Sequence, residues 1–212
     1  MAARAAALRI RRWVAGWGQP AGFGWRVVIS AVATVVLVLV IVSSHASARP
    51  EAPGGPPWPA PGPAQIAAGV HAAGLTLLAA PGDVVRYAVH LEVIVDGRPV
   101  TVPAGIGIDY RSHLIAALYT SGASGIVHLE SDSGRSVFTL GQFFDEWQVP
   151  LTAHHLGGLR ASQRDPVVVY LNGSRLAGPP GSVVLAPHQE IVVTYRPGPV
   201  PIPASYVFPG GM

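Results

Sequence analysis

The chain has 212 residues, half of them hydrophobic, with 21 prolines, 25 glycines and no cysteine. That leaves room for one modest domain beside a targeting segment and linkers, and it excludes disulfide scaffolds, cysteine-based zinc sites, iron–sulfur clusters and thiol nucleophiles. The net charge is +3, but five of the fourteen basic residues (Arg4, Arg9, Arg11, Arg12 and Arg26) precede the long apolar run with no acid among them, and the other nine face eleven acids, a net of −2. A nucleic-acid backbone needs clustered cations on a folded surface, so no nucleic acid is expected as partner. Every basic residue is arginine, and Ala, Gly, Pro and Val are heavily used, the usage of a GC-rich genome of actinobacterial kind.

The basic tail covers residues 1–24. Next, "VVISAVATVVLVLVIV" (Val27 to Val42) carries no charge, and twelve of its positions are Val, Ile or Leu. At about 0.3–0.6 kcal/mol each, these favour bilayer insertion by roughly 4–7 kcal/mol. With its flanks, residues 25–44, the run reaches about 30 Å as a helix, one hydrocarbon thickness. The arginines on its N-terminal side put that end in the cytoplasm and the rest outside. The expectation is a single-pass anchor in the lipid bilayer. The competing reading is a signal peptide cleaved after Ala48, because "SSHASA" sets Ala46 and Ala48 in an A-x-A arrangement. Either way the domain lies beyond the membrane.

Residues 45–63, including "SARPEAPGGPPWPAPGP", are too rich in Pro and Gly for regular structure and read as an extended tether. The C-terminal residues 197–212 repeat that composition and read as a disordered tail, or one laid on the surface. The domain spans 64–196.

Within it, "HLEVIVDGRPVTV" alternates apolar and polar residues about Asp96-Gly97, the signature of a hairpin with a tight turn. A second hairpin is expected from "GIVHLES" through "DSG" into "RSVFTL". Thr139 and Gln142 then form a capping box for a helix whose Leu140, Phe143, Phe144 and Trp147 make one apolar stripe. Asp145 and Glu146, neighbours on that helix, suit a solvated face better than acid/base work. Asn172-Gly173 marks another turn, and Ile191, Val193 and Tyr195 alternate in a closing strand. Strands around a single short helix predict an α+β fold with a mostly antiparallel sheet, specifically a β-grasp-like roll.

Chemistry is sparse. No "GxSxG" or "SxxK" supports a serine hydrolase, and a Walker loop lacks its lysine. His90 and His128 are the histidines on strands. Glu92 shares a face with His90 and Glu130 with His128, because residues two apart point the same way. If the two strands pair in register, His90, His128 and Glu130 become candidate metal ligands; otherwise they are ordinary sheet polar residues. No cofactor and no catalytic residue is expected.

"HLEVIVDGRPVTVPAGIGI", "SGIVHLES", "FTLGQFFDEW" and "VVVYLNG…EIVVTY" together resemble an uncharacterised family of exported or membrane-anchored bacterial and archaeal proteins, over His90 to Tyr195. In that family the segment before "SGI" reads Leu-His-Thr-His-Asp, which implies a histidine metal site. Here Leu118, Tyr119, Thr120, Ser121 and Gly122 stand in its place, so the implied site is depleted. The sequence therefore predicts a binding or assembly module of the cell envelope with an envelope protein partner, and, as alternative, a transition-metal-binding protein using His90 and His128. Strand edges able to accept a partner strand are the concrete route to peptide binding.

Overall fold

The computed structural model describes residues 54–210. The basic tail, the apolar run and residues 45–53 of the linker lie outside the described residues. Among the described residues no helix is long and apolar enough to cross a membrane.

In chain order the elements are α1 (Pro63–Ala72), β1 (Val85–Val95), β2 (Arg98–Val100), β3 (Ile108–Asp109), β4 (Leu114–Ile115), β5 (Leu118–Tyr119), β6 (Ile126–Ser131) and α2 (Leu140–Trp147). β7 (Leu151–Thr152), β8 (His155–Leu156), β9 (Leu159–Arg160), β10 (Val167–Leu171), β11 (Ser174–Arg175) and β12 (Glu190–Tyr195) follow. Seven strands form one sheet in the order β11-β10-β12-β1-β6-β5, with β2 also on β1. β1 and β12 run parallel, and the other pairs of that sheet are antiparallel. The chain is α+β with a mixed sheet.

Asp96-Gly97 (φ 51° and 73°) joins β1 to β2, and Asn172-Gly173 (φ 49° and 77°) joins β10 to β11. Both have the paired positive φ of a two-residue hairpin loop, as the sequence predicts. The hairpin expected from "GIVHLES" into "RSVFTL" does not form. "IVHLES" is β6, but it folds back on the preceding β5, pairing Leu118 with Leu129 and Tyr119 with His128. Burial decides between the two partners: Leu118 is fully enclosed, whereas Val137 on the downstream side is 65% exposed.

Thr139 caps α2 as predicted. Its Oγ1 accepts from the Gln142 amide at 3.3 Å, and Gln142 Oε1 accepts from the Thr139 amide at 3.0 Å. Phe143, Phe144 and Trp147 pack on the sheet face made by Val89, Leu91 and Val93 of β1 and their neighbours. The helix α1 was not expected. Pro63 at its first position and an alanine-rich interior favour it, and it buries Ile66, Gly69 and Val70. It lies on α2, tied by Gln148 Nε2–H to Gln65 O at 2.7 Å and Gln142 Nε2–H to Ala73 O at 3.0 Å.

That second helix explains a further difference. Glu146, expected on a solvated face, is 1% exposed with neither carboxylate oxygen hydrogen-bonded. The sheet takes one side of α2, while α1 and the segment containing Gly107 cover the flank on which Glu146 lies. An added Cβ on Gly69 would meet Glu146 O at 2.7 Å, and one on Gly107 would meet Glu146 Oε2 at 2.9 Å. Burial pushes the Glu146 carboxyl well above the ordinary carboxylate value.

The described part of the linker is no free tether. Trp58 is 2% exposed, meets Trp147 edge to face at 6.0 Å, and donates from Nε1 to Gly54 O at 2.8 Å. The stretch 197–210 has no helix or strand, as its prolines require, yet it is laid on the second face of the sheet. Val200 approaches Gly97, Ala204 approaches Gly173, and Tyr206 stacks on His90, so the tail runs back alongside β12. Residues of β12 alternate between the two faces, and all six are buried, the condition of a strand covered on both sides.

Candidate functional site

Three places carry chemistry or shape: two polar networks on the second face of the sheet, and a groove at its β10 edge. β1 and β6 do pair, with Ala88 opposite His128 and His90 opposite Ile126. His90, Glu92, His128 and Glu130 therefore share one face, and His90 lies diagonal to His128, roughly 7–8 Å apart across the ladder. The three residues expected as ligands fall into two separate networks. Among the described residues no group of three or more His, Cys, Asp or Glu is arranged to hold a metal ion.

In the first network His90 Nδ1 lies 2.7 Å from Glu190 Oε2, and its Nε2 lies 3.0 Å from Ser124 O. A carbonyl only accepts, so Nε2 carries a proton and one further proton lies between Nδ1 and Glu190. Tyr206 covers the ring at 3.7 Å between centroids and 6° between planes. Gly125 lies close to the Nε2 edge of the ring: its φ is 82°, and a Cβ there would strike Leu91 O at 2.5 Å and His90 Nε2 at 2.9 Å. Glu190 is 1% exposed and its Oε1 has no partner. Burial, then the Glu190 charge, push Glu92 above the ordinary value, while His90 pulls it the other way. With both ring nitrogens and one face engaged, His90 has no open coordination position.

The second network is more open. Ser121 Oγ lies 3.0 Å from His128 Nε2, and Tyr119 stacks on the His128 ring at 4.8 Å. Tyr119 Oη donates to Glu130 Oε1 at 3.0 Å, and Arg86 Nε reaches the same oxygen at 3.3 Å. Burial raises the Tyr119 hydroxyl to about 12, helped by its bond to Glu130 and that group's charge and opposed by Arg86. Burial lowers His128 below the ordinary histidine value, with the Glu130 charge opposing. The "LYTSGASGIVHLES" stretch is thus a hairpin whose two strands and loop converge on one imidazole.

The groove lies beside β10. β11 is only two residues long and pairs with Tyr170 and Leu171. One more bond runs from Leu176 N–H to Val169 O at 2.9 Å, and the chain then diverges through 177–183. The opening has a volume of about 480 Å³ and is lined by Val167, Val169, Leu176 and Val183, with Arg175 and Ser182 as polar side chains. Val169 directs its carbonyl outward, so the two-residue period of an antiparallel ladder directs the Val167 backbone groups into the groove as well.

Sequence reasoning set Glu92 beside His90 and Glu130 beside His128, and left the meeting of the two strands to a register that the β1–β6 pairing supplies. It missed Glu190, Tyr119 and Ser121 as their partners, and it missed the groove. Register carries the first omission, since Glu190 meets His90 through a parallel pairing 100 residues away. The Asn172-Gly173 turn, followed so soon by Pro179-Pro180, was the available signal for a short strand that leaves an edge open. Comparison with protein-family models, with curated proteins and with solved structures returned no match in any of the three.

Proposed function

We propose that this chain is a membrane-anchored, extracytoplasmic binding module that takes an extended peptide along the outer edge of β10. The groove of about 480 Å³ beside Val167 and Val169 carries the reading. Its volume falls in the range of small-ligand clefts, about 300–1,000 Å³, and an edge strand with outward backbone groups is the element to which an added strand pairs. Main-chain hydrogen bonds to Val167 supply affinity, and the valine and leucine walls select apolar side chains. Location outside the membrane rests on the uncharged run from Val27 to Val42 and the arginines before it.

The strand connectivity supports a β-grasp-like assignment. A first hairpin (β1–β2), a helix (α2), a second hairpin (β10–β11) and a final strand (β12) parallel to β1 give the order β11-β10-β12-β1-β2, with the β5–β6 hairpin added beside the first half of β1. In the transition-metal reading His90 and His128 would have to leave Glu190 and Ser121, so the groove is preferred.

Peptide-display selection on the detergent-solubilised full chain tests the proposal. Extended apolar peptides should be recovered, and Ala177→Trp, a substitution at an exposed groove residue, should abolish their binding. Recovery of peptides whose binding ignores Ala177→Trp would remove the groove as the site.

A further inference from the structure

The Ser121–His128 contact has the parts of a nucleophilic site, which the binding reading does not use. Ser121 is exposed, at the start of the loop 120–125, and its Oγ is at hydrogen-bond distance from an imidazole nitrogen. For Nε2 to accept from the serine, the proton of the neutral ring must sit on Nδ1. Burial favours that neutral form by disfavouring the imidazolium. The ring is held on one face by Tyr119, whose hydroxyl is anchored by Glu130, which Arg86 holds in turn. The amides of Gly122 and Ala123, the residues directly after Ser121, have no hydrogen-bond partner among the described residues. An added Cβ at Gly122 would meet nothing within 4 Å. An amide following the nucleophile is where serine hydrolases place an oxyanion donor.

We infer that Ser121 is an acyl-accepting nucleophile with His128 as its general base, open to small activated carboxylic esters. Ser121 Oγ adds to the ester carbonyl carbon as its proton passes to His128 Nε2. Collapse of the adduct breaks the bond to the alcohol or phenol oxygen, which leaves with that proton. The acyl group stays on Ser121 and His128 returns to its neutral form. Among the described residues no carboxylate holds Nδ1; the ring is oriented by stacking instead. Loss of that carboxylate's function lowers turnover about 10⁴-fold in serine proteases, so the reaction here is slow, single acylation.

The test is incubation of the detergent-solubilised full chain with p-nitrophenyl acetate, followed by intact-mass measurement and peptide mapping. One acetyl group should appear on Ser121, at least about 100-fold faster than on Ser174, which is also exposed, the usual scale of general-base assistance. Ser121→Ala should abolish it, and His128→Gln should slow it by a similar factor while circular dichroism stays that of the wild type. If either variant fails to fold, the wild-type map decides. Acetyl spread evenly over exposed serines, no acetylation at all, or a folded His128→Gln chain acetylated at the wild-type rate would overturn the inference.

Discussion

Replacing Glu146 by methionine should stabilise the fold. The carboxyl is 1% exposed, lies against Gly107, and has no hydrogen-bond partner on either oxygen. A buried polar group left unsatisfied costs about 1–3 kcal/mol, and methionine keeps the length of the side chain without that cost. For a chain of this size each kcal/mol moves Tm by about 2–4 °C, so Glu146→Met should melt roughly 2–12 °C higher. The gain depends on pH in a fixed direction. The folded-state pKa is raised above the ordinary 4.5, so below that value both folded and unfolded chains are protonated and only the neutral-acid cost separates the proteins. As pH rises past 4.5 the unfolded wild type ionises while the folded state keeps its proton. Wild-type stability therefore falls relative to Glu146→Met until the folded group itself ionises. Thermal melts on both sides of the ordinary glutamate value measure this. A methionine variant that melts lower, or a difference that does not grow with pH, would refute the reasoning and mean that Glu146 is satisfied in solution.

Gly157→Ala should destabilise by about 2–5 kcal/mol, since it adds a left-handed backbone penalty to overpacking of a full core. Gly157 has φ 57°, and its Cβ would lie 2.5 Å from the Trp58 ring; denaturant melts read the effect. Tyr206→Ala should release the tail at a cost of about 0.5–1.5 kcal/mol from the lost stack alone. NMR of the His90 ring protons should then show the ring-current shift disappear while the core spectrum is kept. Tyr119→His with Ser121→His should create transition-metal binding that also needs His128, because both positions touch that ring. Titration calorimetry with zinc checks it, the wild type being the reference.

Local signals in the sequence were read correctly where one turn or one cap decides them. Asp96-Gly97, Asn172-Gly173 and the Thr139–Gln142 capping box formed as their chemistry requires, and the aromatic stripe of α2 faces the sheet. What depends on distant partners was not legible. "GIVHLES" has equally good strand neighbours on either side, and the choice fell to the burial of Leu118, which only the assembled core reveals. Trp58 and Tyr206 sit in stretches whose prolines forbid regular structure, yet proline does not prevent an aromatic ring from docking. For the candidate sites, alternation within each strand set Glu92 with His90 and Glu130 with His128, while the gathering of all four on one face came from the register of β1 with β6. Their actual partners came from the parallel pairing with β12 and from the β5–β6 hairpin, which no local pattern encodes.

The proposed pairing of a peptide with β10 is most directly tested by backbone amide exchange at Val167 to Val169, measured with and without a peptide recovered by selection. The Val167 amide should exchange with solvent in the free protein and become protected when the peptide is added. Unchanged exchange at Val167, with protection appearing instead at Tyr119 to His128, would contradict the edge-binding account.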